Sequence, residues 1–156
     1  MLKIRLFCVG TIKESFYKEA INEYVKRLSK FAKLEIIELE ESKLVNDNTL
    51  DVINKEGENL LKRIKKEEFL LIMDVKSKEY DSVEFSNYIK NLVDNGTSPI
   101  NIFIGGTFGI SDKVKQRANS KISLSKMTFT HQMTRVILLE QLYRAFKIIN
   151  NEQYHH

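Results

Sequence analysis

Short apolar segments typical of strands alternate with longer segments of helical periodicity along nearly the whole chain. The strands are predicted at residues 2–9, 34–39, 69–75, 100–104 and 121–124. Helical patterns fall at residues 12–31, 50–64, 82–94, 111–119 and 131–149. Such alternation is typical of an α/β domain with a largely parallel sheet and helices on both sides. We therefore expect residues 1–156 to form a single domain.

Capping signals support several of these helix starts. Thr11-Ile12-Lys13-Glu14 and Asp81-Ser82-Val83-Glu84 both have the spacing of a capping box, in which the first and fourth side chains satisfy free backbone N–H groups. Ser111 is placed to cap a short helix, and Asn95-Gly96 to end the one before it. The first box predicts that a helix begins directly after Gly10.

Composition excludes several classes of protein. Hydrophobic residues make up 42% and charged residues 29%, as in ordinary globular proteins, and no apolar run approaches the ~18 residues of a membrane helix. The only cysteine, Cys8, lies in an apolar run and is expected to be buried. Only three histidines are present, and their spacing matches no structural zinc site. We therefore expect a cytoplasmic protein with no membrane segment and no metal.

Charge is unevenly distributed along the chain. The net charge is +4, and residues 112–156 contain 8 Lys and Arg but only 3 Asp and Glu, whereas residues 1–111 contain 17 and 18. The basic excess therefore lies in the last third. A positive region of this kind suits a polyanion such as RNA, although an excess of this size is also common on surfaces without such a role.

A glycine-rich segment, Ile104-Gly105-Gly106-Thr107-Phe108-Gly109, follows the fourth predicted strand. Glycines at this point can let backbone N–H groups approach a nucleotide-like ligand. The segment has neither the Gly-x-Gly-x-x-Gly spacing of a dinucleotide fold nor the Gly-Lys-Ser/Thr of a P-loop. Two interpretations stay open: a ligand site, or a turn that packs a helix against the sheet.

The last predicted helix is apolar around most of its circumference. A narrow charged stripe contains Glu140, Arg144 and Lys147, and the remaining width exceeds what one sheet face needs. We therefore expect a second copy of the protein to cover part of it. His131 and Arg135 enter the apolar side, where a buried Arg must find an anion or carbonyl oxygens. Arg135 could serve a substrate, or could pair with a main-chain oxygen of another subunit.

Several motifs, taken together and in order, resemble one known family. They are Val9-Gly10-Thr11, Lys55-Glu56-Gly57-Glu58, Ile104-Gly105-Gly106 with Gly109, Leu124-Ser125-Lys126-Met127-Thr128-Phe129, His131, Arg135-Val136, Glu140-Gln141-Leu142-Tyr143-Arg144-Ala145 and Tyr154-His155. The chain resembles the bacterial RlmH family of SPOUT-class methyltransferases, from its first strand to its last residues. Thr130 stands where many members have proline, and it can cap the last helix.

The resemblance implies a SPOUT-type α/β fold with a C-terminal trefoil knot, and a homodimer whose active site is shared between subunits. It implies that S-adenosylmethionine is the cofactor and that N3 of a pseudouridine in 23S ribosomal RNA is methylated within the assembled ribosome. The implied cofactor residues are Met73, Gly105, Leu124, Ser125, Lys126, Met127, Thr128 and Phe129. The implied polar groups around the base are His131, Arg135, Tyr154 and His155. A non-catalytic RNA-binding domain, or an enzyme acting on transfer RNA, are the alternatives.

Overall fold

The structure is a computed structural model that describes residues 1–154, and in this part of the chain five strands alternate with five helices. The elements are β1 (Lys3–Val9), α1 (Ser15–Leu28), β2 (Lys33–Leu39), α2 (Thr49–Leu61), β3 (Phe69–Met73), α3 (Ser82–Asp94), β4 (Ile100–Ile104), α4 (Asp112–Arg117), β5 (Ser120–Ile122) and α5 (His131–Ile149).

The five strands form one sheet in the order β2-β1-β4-β3-β5, and every neighbouring pair is parallel. Connections that step toward β2 use α1 and α3, which share one hydrophobic core with α5. Connections that step toward β5 use α2 and α4, which pack on the opposite core. Crossovers between parallel strands have one handedness, so connections that step in opposite directions along the sheet must place their helices on opposite faces. The α/β fold with a parallel sheet is confirmed, and the trefoil knot stays a prediction.

Helix α5 lies between α1 and α3 and contacts both of them. Leu138, Leu139, Leu142 and Ala145 are fully buried there, and Phe146 stacks on Phe31 with a centroid distance of 5.4 Å. The flanking helices therefore cover much of the apolar width that we expected a second copy to cover. The two neighbours were not apparent from the sequence of the helix alone.

Most predicted helix starts are confirmed, and one is wrong. Asp81 and Glu84 form the reciprocal capping box of α3, and Ser111 and Thr130 cap α4 and α5. The box at Thr11 does not form, since α1 begins at Ser15 and Glu14 occupies the capping position without a side-chain hydrogen bond. The cause is Ile12, which is buried and donates its N–H to Glu38 Oε2 at 3.3 Å, so that this segment stays extended.

Other physical features of the described residues bear on the expected class of protein. Cys8 is buried, as predicted. Within residues 1–154, no helix combines the length and the apolar composition needed to cross a membrane. Over the same range, no group of three or more His, Cys, Asp or Glu side chains is arranged to hold a metal ion.

A candidate active site at the carboxyl edge of the sheet

A cavity of about 790 Å³ opens where β3, β4 and β5 end. Met73 ends β3, the segment from Gly105 to Ile110 follows β4, and the segment after Ile122 follows β5; all three contribute to the lining. The connections leaving β3 and β4 turn to opposite faces of the sheet, through α3 and α4. Crevices at such points are where open α/β sheets bind ligands. The volume also lies within the range of small-molecule sites.

The cavity brings together seven of the eight predicted cofactor residues. They are Met73, Gly105, Leu124, Ser125, Met127, Thr128 and Phe129. Lys126 is exposed and does not belong to the lining. The segment is held in shape by the Ser125 hydroxyl, which accepts the Met127 N–H at 3.0 Å, and by the Ser123 hydroxyl, which donates to the Ser125 carbonyl at 2.9 Å. The residues that the family resemblance implied for a cofactor therefore line one cavity, with the exception of Lys126.

The lining of the cavity also contains polar groups that sequence reasoning missed. They are Asp74, Lys76, Thr107, Asp112, Lys115, Gln132 and Thr134. Asp74 directly follows β3, and Asp112 opens α4, so their positions after strand ends could have pointed to this edge of the sheet. The Asp74 carboxylate accepts the Lys76 N–H at 3.1 Å, and this contact shapes the turn after β3.

The glycine segment is both a tight turn and part of the cavity. A Cβ on Gly105 would lie 2.8 Å from Ile110 Cγ1 and 3.1 Å from the Gly109 carbonyl oxygen, too close for the turn to keep its shape. Gly109 has a φ of +100°, which other residues rarely adopt. Its N–H donates to the Gly106 carbonyl at 3.2 Å and closes the turn. The two interpretations of this segment are therefore compatible.

Glu56 lies beneath the glycine segment. A Cβ on Gly106 would meet its Oε1 at 3.0 Å, and the residue is only 3% exposed. Burial is the main cause that raises the pKa of Glu56, and the nearby Glu41 carboxylate raises it further, against a hydrogen bond with the Ser42 backbone. The neighbouring Gly57 allows α2 to approach α4, because a Cβ there would lie 2.5 Å from Ser111 Oγ. The two residues thus explain a motif that the sequence alone left without a role.

His131, the first residue of α5, lines the same cavity. Its backbone is positioned by Thr130, whose hydroxyl accepts the Met133 N–H at 3.2 Å. Burial is the main cause that lowers the pKa of His131 below its usual 6.5, and the Arg135 charge lowers it further, while Glu41 opposes the shift. The imidazole is therefore mostly neutral at pH 7 and can accept a proton.

Arg135 is buried one turn further along α5 and does not line the cavity. Its Nη1 forms an ion pair with Glu38 Oε2 at 2.8 Å, and its Nη2 donates to the Gly10 carbonyl at 3.4 Å. A buried Arg was predicted to need an anion or a carbonyl oxygen, and here it has both within its own chain. The pair joins α5 to the carboxyl ends of β1 and β2, beside the His131 ring.

Tyr154 lies at the other end of α5. Its ring packs edge-on against Tyr143 at a centroid distance of 4.9 Å, and the Arg144 guanidinium lies 4.9 Å from its centre. Tyr143 is twelve residues from His131, which corresponds to roughly 18 Å along a helix. One chain therefore does not bring Tyr154 to the cavity. The predicted role of His155 lies outside the described residues.

The fold and the cavity define an α/β protein with a partly apolar cavity of small-molecule size at the carboxyl edge of a parallel sheet, beside a titratable imidazole. Comparison with known proteins identifies the family. The family described as predicted SPOUT methyltransferase matches residues 2–155, and the chain belongs to it.

Full-length relatives support the same assignment. A protein of Clostridium acetobutylicum named ribosomal RNA large subunit methyltransferase H is 48% identical over 158 residues, which cover 99% of each chain. A protein of Clostridium botulinum (strain Kyoto / Type A2) with the same name is 49% identical over the same length and coverage. The resemblance that the motifs indicated is thus confirmed over the whole sequence.

Proposed function

We propose that this protein uses S-adenosylmethionine to methylate N3 of a pseudouridine in 23S ribosomal RNA within the assembled ribosome. The observation that carries the proposal is the cavity at the carboxyl edge of the sheet, which joins Met73, the glycine segment and the Leu124–Phe129 segment to His131. The names of the full-length relatives agree with it, since they describe methyltransferases of large-subunit ribosomal RNA.

The residues present fit the proposed cofactor. Ile104, Leu124 and Phe129 supply apolar surface for a purine ring, and the glycine segment brings backbone groups to the cavity without intervening side chains. Asp74 and Asp112 supply carboxylates and Lys76 and Lys115 supply ammonium groups to the same lining, which suits a ligand that carries charges of both signs. When bound, S-adenosylmethionine supplies a methyl group already activated by its sulfonium.

The chain itself must orient the base and accept its proton. An imide nitrogen becomes a good nucleophile only after it loses its proton, so a neutral acceptor within hydrogen-bonding distance lowers the barrier. His131 meets this need, because its burial keeps the imidazole neutral at pH 7. We assign to His131 the transfer of the N3 proton away from the base. Arg135 is a positioning residue that does not line the cavity. It fixes the Gly10 turn and α5 through its contacts with Glu38 and the Gly10 carbonyl.

A homodimer would complete this site. Within one chain Tyr154 is held beside Tyr143, far from His131, so a contribution of Tyr154 and His155 to the base requires a second copy. We propose that residues 1–156 act as a single domain in such a dimer, with the knot that the family resemblance implies. A ribosomal substrate would place the protein in the cytoplasm.

Calorimetry tests the cofactor part of the proposal. S-adenosylmethionine or its demethylated product should release measurable heat of binding with the folded wild-type protein. Phe129→Ala should weaken this binding, since losing the contact of a partly buried ring costs about 1 to 2 kcal/mol, or roughly 5- to 30-fold in Kd. Phe16→Ala is a matched control, because Phe16 is also exposed (63%, against 41% for Phe129) but lies in α1 outside the cavity.

The outcomes separate the competing functions. Absence of any heat of binding with folded wild-type protein would favour a non-catalytic RNA-binding domain over an enzyme. Equal affinities for the wild type and Phe129→Ala would show that the cofactor lies elsewhere. An enzyme of transfer RNA would pass this assay and must be distinguished by the acceptor that it methylates.

A further inference from the structure

A basic surface lies at the amino edge of the sheet, opposite the cavity. It consists of the exposed side chains of Lys62, Lys65 and Lys66, which we call the amino-edge surface. All three lysines belong to the turn between α2 and β3. Phe69 follows this turn and opens β3, so the lysines lie at the end of the sheet opposite Met73 and the cavity.

Two arginines hold the turn in place. Arg117 Nη2 donates to the carbonyls of Lys65 at 2.9 Å and Glu68 at 2.7 Å, and so ties the end of α4 to the turn. Arg5 Nη2 donates to the Arg63 carbonyl at 3.1 Å, and its Nη1 pairs with the Glu68 carboxylate at 3.4 Å. The turn is thus fixed by groups other than its own lysine ammonium groups. A surface held in this way loses little conformational entropy when a partner binds.

The lysines of the amino-edge surface keep their charge for a partner. Across residues 1–154, none of the three ammonium groups takes part in an ion pair. The nearest carboxylate in the turn, that of Glu68, is already engaged by Arg5 and by the Lys65 N–H at 2.9 Å. Glu67 is the one other acidic side chain in the turn at residues 62–68. The summed field of the surface is therefore positive and favours anions.

The distance to the cavity indicates the size of the partner. Strand β3 runs from the turn to the cavity over five residues, or about 15 Å at the usual rise per residue. Helix α4 runs from Asp112 and Lys115 in the cavity lining to Arg117, whose long side chain reaches the turn. A ligand that occupies the cavity and reaches the amino-edge surface must therefore be a polymer.

We propose that the amino-edge surface binds phosphates of the RNA substrate outside the segment whose base enters the cavity. This inference rests on the proposed function for the identity of the RNA. The lysines contribute affinity and orientation without reading the sequence, as phosphate contacts generally do. They take no part in cofactor binding or in proton transfer.

The test measures binding of isolated 23S ribosomal RNA over a series of salt concentrations. The variant Lys62→Gln/Lys65→Gln/Lys66→Gln should lower the slope of log K against log salt by about 2 to 3 and raise the Kd at least ~10-fold at 0.1 M salt. Its affinity for S-adenosylhomocysteine should equal that of the wild type. The control Lys18→Gln/Lys26→Gln/Lys30→Gln removes the same charge from exposed positions of α1 and of the turn that follows it, and should change the slope little.

Several results would overturn the proposal. One is an unchanged salt slope in the amino-edge variant, and another is an equal loss of RNA affinity in the α1 control. A third is competition for RNA binding by polyglutamate as strong as that by unlabelled RNA, which would show a general attraction of polyanions. The failure of the proposed function would look different, because RNA binding is measured here without methyl transfer. Protein that binds RNA through these lysines but transfers no methyl group would refute the proposed reaction and leave the surface assignment standing.

Discussion

Replacing Arg135 by methionine separates a positioning role from direct contact with substrate. The Arg135 side chain is 3% exposed, and the substitution removes its ion pair with Glu38 and its hydrogen bond to Gly10 while filling a similar volume. Breaking a buried pair costs about 3–5 kcal/mol. Glu38 is 36% exposed, so water can solvate the carboxylate left behind. We therefore expect a loss of about 2 kcal/mol, close to that of one charged hydrogen bond.

Thermal and urea unfolding measure this loss. For a domain of this size about 2 kcal/mol corresponds to a fall in Tm of roughly 4–8 °C. A double-mutant cycle with Glu38→Gln should give a coupling energy of about 1 to 2 kcal/mol. Lys90→Met is the control, because its ion pair with Asp94 is exposed and contributes less than about 0.5 kcal/mol.

One combination of stability and activity would refute the positioning role of Arg135. If Arg135→Met unfolds with the same free energy as the wild type but transfers no methyl group, Arg135 acts on the substrate itself, and its placement between α5 and the Gly10 turn does not explain its role. Methyl transfer should instead fall together with stability, and Arg135→Lys should recover part of both.

Four further predictions follow from the buried groups and the glycine segment. Methyl transfer should decline as the pH falls below 6.5, because protonated His131 cannot accept the N3 proton. Glu41→Gln should move this decline to lower pH, because the Glu41 carboxylate raises the pKa of His131. A shift of the decline to higher pH would contradict this electrostatic effect of Glu41. Because the pKa of Glu56 is raised in the folded state, its contribution to stability is present below pH 4.5 and is lost as the pH rises through the folded pKa. Glu56→Gln should therefore raise the urea midpoint of unfolding at pH 7.5 more than at pH 5. A lowered midpoint would show that the ionised carboxylate is needed. Burial raises the pKa of Cys8 to about 12, so a thiol reagent at pH 8 should label it only on unfolding; rapid labelling of native protein would disprove its burial. Gly105→Val should raise the cofactor Kd more than ~10-fold by displacing Ile110 and the Gly109 carbonyl, and wild-type affinity would show that the segment does not shape the site.

Local sequence signals predicted those features that local forces determine. The bounds of β4 and α5 match the prediction, since a continuous apolar run marks β4, and apolar periodicity together with the Thr130 cap marks α5. The Thr11 box failed because Ile12 is drawn into the core and its N–H is satisfied by Glu38, on a different strand. A capping motif indicates only the local preference of a segment, and here the burial of Ile12 overrides that preference.

In the site, too, contacts between residues distant in sequence were harder to predict than features of one segment. The glycine segment and residues 124–129 could be assigned to one cavity through the family resemblance, and all but Lys126 of the latter line it together with the glycine segment. The partner of Arg135 could not be predicted, because Glu38 is 97 residues away in sequence and becomes a neighbour only through the order of the strands. The polar side chains of the cavity were missed for a similar reason, since they come from the turn after β3, the glycine segment, α4 and α5.

The most direct test of the proposed reaction is methyl transfer from labelled S-adenosylmethionine to ribosomes that lack the modification, compared with free 23S ribosomal RNA and transfer RNA. We predict label in the 23S RNA of assembled ribosomes, located at N3 of a pseudouridine, and little of it with His131→Ala, a variant that should keep its cofactor affinity. Label that appears only in transfer RNA, or none in any RNA despite cofactor binding, would contradict the account.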